Sequence, residues 1–371
     1  MNSPQALPDL ATPSSSLPCG KEHAAKGITD AIEDLHRVET LGPYRIQIED
    51  CGQDEQAELM CHAAQGKRIQ FTYADASAAR ARYRLQSNVL TLTARTCQGR
   101  LVGLARLASK LVYWRGMATP AAYFFDRVVH PDHRRQGLGR ALLRAQLALA
   151  RSVPLCYALV LEDNTVNRRV LEAQGLVCFR RPLTYFAIVT RWCRRQGRLA
   201  LAMTTDEAGT QLEACLKSDS LFLDSIARAG DWIIYLPGWA GQVEAGAAIY
   251  ELAPRRLAHA PWYLRGAMRW LPGLPRWGEL WKVWLISHLW AAGPKHVTRL
   301  VHSLGAFAYR RGVHLLIVPL EPMDPCWSAV RALAVDRWPI MPLRACFYYR
   351  SEVPLGAAAA LGAVRVSGRD H

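Results

Sequence analysis

The most informative motif of the chain is Val129-His130-Pro131-Asp132-His133-Arg134-Arg135-Gln136-Gly137-Leu138-Gly139-Arg140. An extended run at residues 123–129 leads into it, and an amphipathic helix begins inside it. Glycine lets backbone N–H groups come close to a bound group and adopts positive φ without strain. The first turn of a helix adds unpaired N–H donors and a partial positive charge. The stretch therefore predicts an anion site suited to a pyrophosphate.

The same stretch excludes two common phosphate-binding motifs. No Gly-Lys-Ser/Thr sequence follows the glycines, so the stretch is not a Walker loop. A third glycine is missing and the flanking strands have an antiparallel pattern, so it is not a Rossmann fingerprint either. Arg134, Arg135 and Arg140 would add charge-assisted hydrogen bonds to an anion. A short Gly-x-Gly is a weak signal alone, and the order of the surrounding elements therefore carries the prediction.

The surrounding pattern is typical of a mixed sheet covered by helices. Strands are expected at residues 44–49, 89–96, 101–113, 123–129, 156–161, 176–179 and 184–189. Helices are expected at residues 53–64, 74–83, 138–149 and 164–174, the last of them closed by Gly175. The helix at 138–149 has an apolar stripe made of Leu138, Leu142, Ala145 and Leu149. Residues 156–161 are continuously apolar, which indicates a buried parallel strand.

This arrangement resembles the GNAT acetyltransferase superfamily. Arg134, Gly137 and Gly139 match its Arg-x-x-Gly-x-Gly/Ala motif, and Asn164 and Gly175 match its later Asn…Gly segment. The motif similarity covers residues 120–180, and the order of elements extends it to 44–190. The resemblance implies an N-acetyltransferase that uses acetyl-CoA as co-substrate. It places coenzyme A between the strands at residues 123–129 and 156–161.

The resemblance also implies which residues hold the co-substrate. They are Val128, Val129, Arg134, Arg135, Gln136, Gly137, Leu138, Gly139, Arg140 and Asn164. Backbone amides near Val128 and Val129 would bind the thioester oxygen, because the developing oxyanion needs preorganised donors. The acceptor would be a neutral amine of a protein or a small molecule, and a base or a chain of waters would take its proton.

The proton chemistry departs from the family pattern. Leu171 stands where many family members carry a tyrosine, seven residues after the asparagine. Asp126 is the candidate for proton handling, but a strand-end acid can equally pair with an arginine. His130 and His133 are further candidates, and each could be only an exposed loop histidine. Two hypotheses follow: an N-acetyltransferase that moves an acetyl group to an amine, or a non-catalytic acyl-CoA-binding regulatory protein.

The second half of the chain repeats part of this plan. A strand at residues 281–290, a helix and a strand at 313–320 follow one another at nearly the same spacing as in the first half. Gly293-Pro294-Lys295, Trp338-Pro339 and Phe347-Tyr348-Tyr349 resemble the plant Hookless-type N-acetyltransferases, in which a degenerate GNAT domain follows the first. We therefore predict an α/β fold with a mixed (α+β) sheet in tandem GNAT-like domains, the second degenerate.

The predicted organisation has four parts. A tail at residues 1–43 precedes a GNAT domain at 44–197, and a degenerate GNAT-like domain at 198–352 precedes a tail at 353–371. Residues 254–278 are rich in Pro, Trp and Arg, and form either a basic amphipathic contact surface or an insertion packed on the domain. Pro294 removes an N–H donor near the start of a helix. The second domain is therefore predicted not to hold a coenzyme A of its own.

Composition and charge bound the remaining expectations. The ten cysteines include no Cys-x-x-Cys pair, so no metal site is predicted. The net charge of +15 is concentrated at residues 120–199, where fourteen arginines against five acids give +9. That basic surface could meet nucleic acid or a nucleosome. Apolar stretches fall short of the about 20 residues that a span needs, and no membrane partner is predicted. The expected location is intracellular, in cytoplasm or nucleus, with a plastid not excluded.

Overall fold

The computed structural model describes most of the chain between its two ends. The described residues are 39–63, 70–84, 86, 88–179, 182–194, 202–203, 206–224, 232–237, 242–270, 274–335, 343–351 and 363–365. Most of the predicted first tail, Trp338-Pro339 and most of the last tail lie outside these residues.

The described residues form the following helices and strands. The helices are α1 (Asp54–Cys61), α2 (Ala76–Arg84), α3 (Leu138–Leu149), α4 (Thr165–Glu172), α5 (Thr190–Cys193), α6 (Asp206–Asp219), α7 (Trp262–Trp270), α8 (Pro294–Arg310) and α9 (Trp327–Val335). The strands of the first half are β1 (Glu39–Leu41), β2 (Tyr44–Glu49), β3 (Gln70–Tyr73), β4 (Val89–Thr96), β5 (Leu101–Trp114), β6 (Met117–Val129), β7 (Leu155–Leu161), β8 (Val177–Cys178) and β9 (Leu183–Val189). Those of the second half are β10 (Ala202–Met203), β11 (Ser220–Asp224), β12 (Trp232–Pro237), β13 (Val243–His259), β14 (Leu280–Ala291), β15 (Leu315–Leu320), β16 (Leu343–Ser351) and β17 (Ala363–Arg365).

The first unit is a sheet in which β2, β4, β5 and β6 are antiparallel neighbours and β7 is parallel to β6. Side chains alternate between the two faces of a strand. On β5, Ala105 and Leu107 pack in the core under α3 and α4, whereas Leu104 packs in the core under α1 and α2. Helices therefore cover both faces, which confirms the predicted mixed α/β fold.

A gap opens between β6 and β7. The two strands are paired from Ala121↔Leu155 to Tyr123↔Tyr157, and their registered pairing stops there. Beyond Tyr123, β6 continues for six residues to Val129 without further pairing to β7. A register shift in the β5–β6 ladder and a positive φ of 48° at Asp126 mark a bulge on this free part of β6. A bulge bends its strand, so β6 is kinked where it borders the gap.

The second unit repeats this geometry. Strands β12, β13 and β14 are antiparallel, and β15 is parallel to β14 from Val283↔Leu315 to Leu285↔Ile317. The β13–β14 ladder also shifts register, and His288 has a positive φ of 53°. His288 and Asp126 thus occupy equivalent bulges, each followed by a loop and a long helix. The internal repeat predicted from sequence is present.

Each unit supplies one strand to the sheet of the other. The second half supplies β16, which lies antiparallel to β7 from Ala345↔Leu161 to Ser351↔Leu155. The first half supplies β9, which lies antiparallel to β15 from Leu315↔Val189 to Leu320↔Thr184. Because β16 and β9 also pair with each other, one sheet runs through both units. The predicted domain boundary after residue 197 stays a prediction. In the structure, the sheet of each half includes a strand from the other half.

Two sequence interpretations are changed in detail. Residues 254–278 were expected to form a contact surface or an insertion, but their first part continues β13, where Arg255 and Leu257 pair with Tyr73 and Phe71 of β3. Glu39–Leu41 lies inside the predicted tail and pairs as β1 with β2. Local periodicity predicts a strand but not the strand that it pairs with. The pairing of β13 with β3 and that of β1 with β2 could therefore not be predicted from the sequence pattern. None of the described helices is both long and apolar enough to cross a membrane.

Candidate functional site

The basic loop folds into the conformation that its glycines suggest. After β6, a short 3-10 turn at Pro131–His133 leads to Arg135 and Gly137, which both have positive φ, 64° and 83°. Gly137 is the N-cap residue of α3, and its carbonyl accepts the N–H groups of Arg140 and Ala141. The N–H groups ahead of these point out of the first turn, since a helix directs its donors toward its N-terminus.

Open space lies beside both glycines. A Cβ placed on Gly139 would meet no atom within 4 Å, and one on Gly137 would meet only Leu41 Cδ2, at 3.9 Å. Arg134, Arg135 and Arg140 are exposed around this space. Unpaired N–H groups, a helix N-terminus and three cations are the donor set that a pyrophosphate requires. The residues present therefore fit the pyrophosphate of coenzyme A.

Tyr44 holds the loop in place. Its hydroxyl donates to Gln136 Oε1 and shares a 3.0 Å hydrogen bond with His133 Nδ1. The rings of Tyr44 and His133 also meet edge to face at 5.7 Å. Tyr44 is not among the site residues predicted from the sequence, where it only opens the strand at residues 44–49. No local signal connects it to a loop about ninety residues later, and tertiary contact alone assigns its positioning role.

The backbone of β6 presents one of the two predicted amides to the gap. His130 N–H donates to Val102 O of β5 at 2.8 Å. Hydrogen bonding alternates along an antiparallel strand. The Val129 N–H therefore points away from β5, toward the gap, and the Val128 N–H faces Leu104 in the ladder. Arg134 Nε donates to Val129 O at 3.1 Å and ties the loop to the end of the strand.

Asp126, the candidate for proton handling, forms a buried ion pair. Its Oδ2 lies 3.1 Å from Nη1 of Arg106, and both side chains are almost completely buried. Arg106 also donates toward Gln56 Oε1, at 3.3 Å, and toward Thr91 Oγ1, at 3.4 Å. Of the two alternatives for Asp126, the structure contains the ion pair with an arginine. Proton handling by Asp126 would require this pair to open, and it stays a prediction.

Arg127 lies on the part of β6 that borders the gap, and it was not predicted as a site residue from the sequence. Its guanidinium donates to Asn167 Oδ1 of α4, and to Gln146 Oε1 of α3 at 3.4 Å. Burial lowers the pKa of Arg127 below its ordinary value, because desolvation penalises the charged form. Asn164, a predicted coenzyme ligand, caps α4, where its Oδ1 accepts the Asn167 N–H at 3.2 Å. Arg127 therefore ties β6 to α4 and α3, and Asn164 fixes the first turn of α4.

The two loop histidines have partners within the loop or beside it. His130 Nδ1 lies 3.6 Å from Asp132 Oδ2, and its Nε2 lies 3.5 Å from an Nη of Arg100. His133 contacts Tyr44 as described above. Both histidines stabilise the loop in this structure. Their contacts do not place either imidazole at the gap.

Leu171 is completely buried. It packs in the core that contains Leu138, Leu142 and Tyr348. Leu171 therefore packs in the core, and an aliphatic side chain can supply no proton. Among the described residues, no group of three or more His, Cys, Asp or Glu side chains could hold a metal ion.

The equivalent loop of the second unit differs in its chemistry. Gly293, the N-cap of α8, is extended, with φ of −179°, and Pro294 follows it at the first helical position. The carboxylate of Glu244 lies near this helix start, 3.4 Å from Nη1 of Arg299 and 3.8 Å from Nε2 of His296. A carboxylate there repels an incoming anion and already uses the nearby cations. These features favour the prediction of a single coenzyme site in the first unit.

The comparisons with known proteins agree with the fold and the loop. Residues 61–176 match the model of the acetyltransferase (GNAT) family. Saccharomyces cerevisiae N-myristoyltransferase with bound myristoyl-CoA is a structural neighbour at 10% identity, with TM-score 0.58 over 86% of this chain and 82% of that chain. A tandem GNAT protein from the clavulanic acid biosynthesis pathway is another, at 16% identity and TM-score 0.52 over 84% of this chain and all of that chain. A search of curated proteins finds no match.

The loop, the gap and these matches together define the fold class. The chain has the fold of the GNAT acyltransferases, and residues 61–176 match the family model. The Hookless-type resemblance is not addressed by these matches and stays a prediction.

Proposed function

We propose that this protein is an N-acetyltransferase, which moves the acetyl group of acetyl-CoA to an amine of a protein or a small molecule. The observation that carries the proposal is that the basic glycine loop at the start of α3 follows β6 at the end where β6 no longer pairs with β7. A donor bound at the loop by its pyrophosphate would reach the gap with its thioester, where the Val129 N–H points.

Each residue then has a definite task. The first-turn N–H groups, with Arg134, Arg135 and Arg140, hold the pyrophosphate. The Val129 N–H polarises the thioester oxygen and stabilises the oxyanion that develops as the amine nitrogen bonds to the carbonyl carbon. Asp126 is paired and Leu171 is apolar, so the amine proton leaves through solvent. A thiol pKa near 8.5 allows the sulfur to depart as thiolate without a dedicated acid.

A non-catalytic acyl-CoA-binding regulator is the second candidate. The observations that favour it are the buried Arg106–Asp126 pair and the buried Leu171, since neither leaves an evident acid or base at the gap. The two candidates share the coenzyme site and differ only in turnover.

The experiment that separates the candidates follows the release of free thiol from acetyl-CoA. Acceptors are a panel of small amines, peptides and nucleosomes, each compared with acceptor-free hydrolysis. We expect amine-dependent thiol release together with a stoichiometric acetylated product in mass spectrometry. Binding of acetyl-CoA without amine-dependent release from any acceptor would favour the regulator. Longer acyl-CoA donors are included, because acetyl specificity is itself part of the proposal.

A further inference from the structure

An exposed surface of tryptophan and arginine lies on the second unit. We define the Trp–Arg surface as Trp262, Arg265, Arg269 and Trp270 of α7 with Arg276 and Trp277 of the following loop. The relative exposures of Trp262, Trp270 and Trp277 are 79%, 80% and 47%. Large apolar side chains exposed as a group on a folded chain indicate an interaction surface.

The surface is preformed rather than frayed. Met268 of α7 is buried in a core with Leu257 and Trp281. Arg265 N–H donates to Pro261 O at 3.1 Å, which closes the first turn of the helix. The Arg265 guanidinium lies 5.5 Å from the ring centroid of Trp277, a cation–π contact that joins loop and helix. The buried side of α7 is thus anchored, and its tryptophans remain in solvent.

The arginines and the tryptophans of α7 lie on adjacent flanks of its exposed side. At about 100° per residue, Arg265, Arg269, Trp262 and Trp270 follow one another around one side of the helix, within about 140° of arc. The two arginines take one flank and the two tryptophans the other. This is the arrangement of a helix that lies in a bilayer interface, with aromatic rings at headgroup level and cations beside them.

The local charge favours an anionic lipid. Residues 262–280, which carry the Trp–Arg surface, contain three arginines (265, 269 and 276) and one acid, Glu279, for a net charge of +2. Arginine binds phosphate oxygens through a planar fork of donors, and anionic headgroups attract such clusters. A protein partner would also accept tryptophan and arginine, but the near absence of acid across this segment favours a phosphate-rich surface.

We propose that the Trp–Arg surface docks the protein peripherally on a membrane containing anionic phospholipid. The sequence alone predicted no membrane partner, on the ground that no segment could span a bilayer, and docking requires no span. The surface lies on α7, whereas the coenzyme loop begins α3, so docking and acetyl-CoA binding use different residues.

The test is vesicle flotation of the full chain. Vesicles of phosphatidylcholine alone are compared with vesicles of phosphatidylcholine and phosphatidylglycerol. The variants are Trp262→Ser with Trp270→Ser, and Arg265→Glu with Arg269→Glu. The control is Arg144→Glu with Arg151→Glu, which changes the net charge equally on exposed residues of the first unit. Unfolding midpoints and acetyl-CoA affinity are measured for every variant.

We expect binding to the anionic vesicles only, weakened about tenfold or more by either pair of substitutions, with the control close to wild type. Unchanged acetyl-CoA affinity in the docking variants separates this inference from the proposed function. Absence of binding to anionic vesicles would overturn the proposal, as would equal loss in the control, which indicates general charge attraction. A single-stranded oligonucleotide that binds and loses binding in the same variants, while vesicles do not bind, would also overturn it.

Discussion

The guanidinium of Arg106 lies 3.1 Å from the carboxylate of Asp126, and both side chains are almost completely buried. The pair joins β5 to the bulge of β6, where Asp126 has a positive φ of 48°. A buried ion pair adds little net stability compared with an apolar pair, but removal of one partner leaves an uncompensated buried charge. The pair therefore holds the bulge beside the gap, and the geometry of the gap depends on it.

The first prediction concerns this pair. Asp126→Asn should reduce the free energy of unfolding by about 3–5 kcal/mol, because the charge of Arg106 would stay buried without its counter-charge. The double variant Arg106→Met with Asp126→Leu should lose less than the single variant. Chemical denaturation measures both. If Asp126→Asn kept wild-type stability and lost only amine-dependent turnover, Asp126 would be a proton carrier and not a structural partner.

The second prediction concerns the pyrophosphate loop. Gly137→Val should weaken acetyl-CoA binding by about tenfold or more, because a branched side chain fills the space beside the first-turn donors. Gly116→Val is the matched control: it has a similar φ of 77°, in the hairpin between β5 and β6, and open space around its Cβ. Calorimetry on both variants separates loss of the site from backbone strain. Equal affinities for the two variants would show that the site lies elsewhere.

The third prediction concerns Leu171. Leu171→Ala should lower the free energy of unfolding by about 2–4 kcal/mol, since the side chain is completely buried. Leu171→Tyr should also destabilise the protein, because a larger ring overpacks a completely buried position. Thermal unfolding and thiol-release assays measure both. A tyrosine variant with sharply higher turnover would instead mean that the wild type lacks a needed acid.

The fourth prediction concerns stoichiometry. One equivalent of acetyl-CoA should bind per chain, because Pro294 and the Glu244 carboxylate occupy the helix start of the second unit. Isothermal titration of the wild type measures this number. Glu244→Gln should leave it at one, since the proline and the extended Gly293 remain. Two equivalents of similar affinity in the wild type would contradict the single-site interpretation.

The fifth prediction concerns the contact between the two halves at Gly305. A Cβ on Gly305 would lie 2.5 Å from Sγ and 2.6 Å from Cβ of Cys193. Gly305→Ala should therefore cost about 1–3 kcal/mol of stability by overpacking. Gly266→Ala is the helical control, with nothing near its Cβ, and should be neutral or stabilising by up to about 1 kcal/mol. A neutral Gly305→Ala would show that α5 and α8 can separate without cost.

Much of the site was readable from local sequence. The loop from Arg134 to Gly139 combines glycine spacing, a helix start and cations within a few residues, and local chemistry decides each of these. The helix stripes and the buried strand at residues 156–161 were readable for the same reason. The sequence left the role of Asp126 open between proton handling and an ion pair. Its partner Arg106 is twenty residues away on another strand, and only the pairing register brings the two together.

Other features depend on contacts that no local pattern encodes. The sequence alone determined the class of fold, the glycine loop that starts α3 and the repeat, because periodicity and glycine spacing act within a few residues. Tertiary structure decided that Tyr44 holds the loop, that β9 and β16 are exchanged between the units, and that the tryptophans of α7 stay exposed. Strand pairing and burial depend on which distant segments meet, and that follows from packing the whole chain.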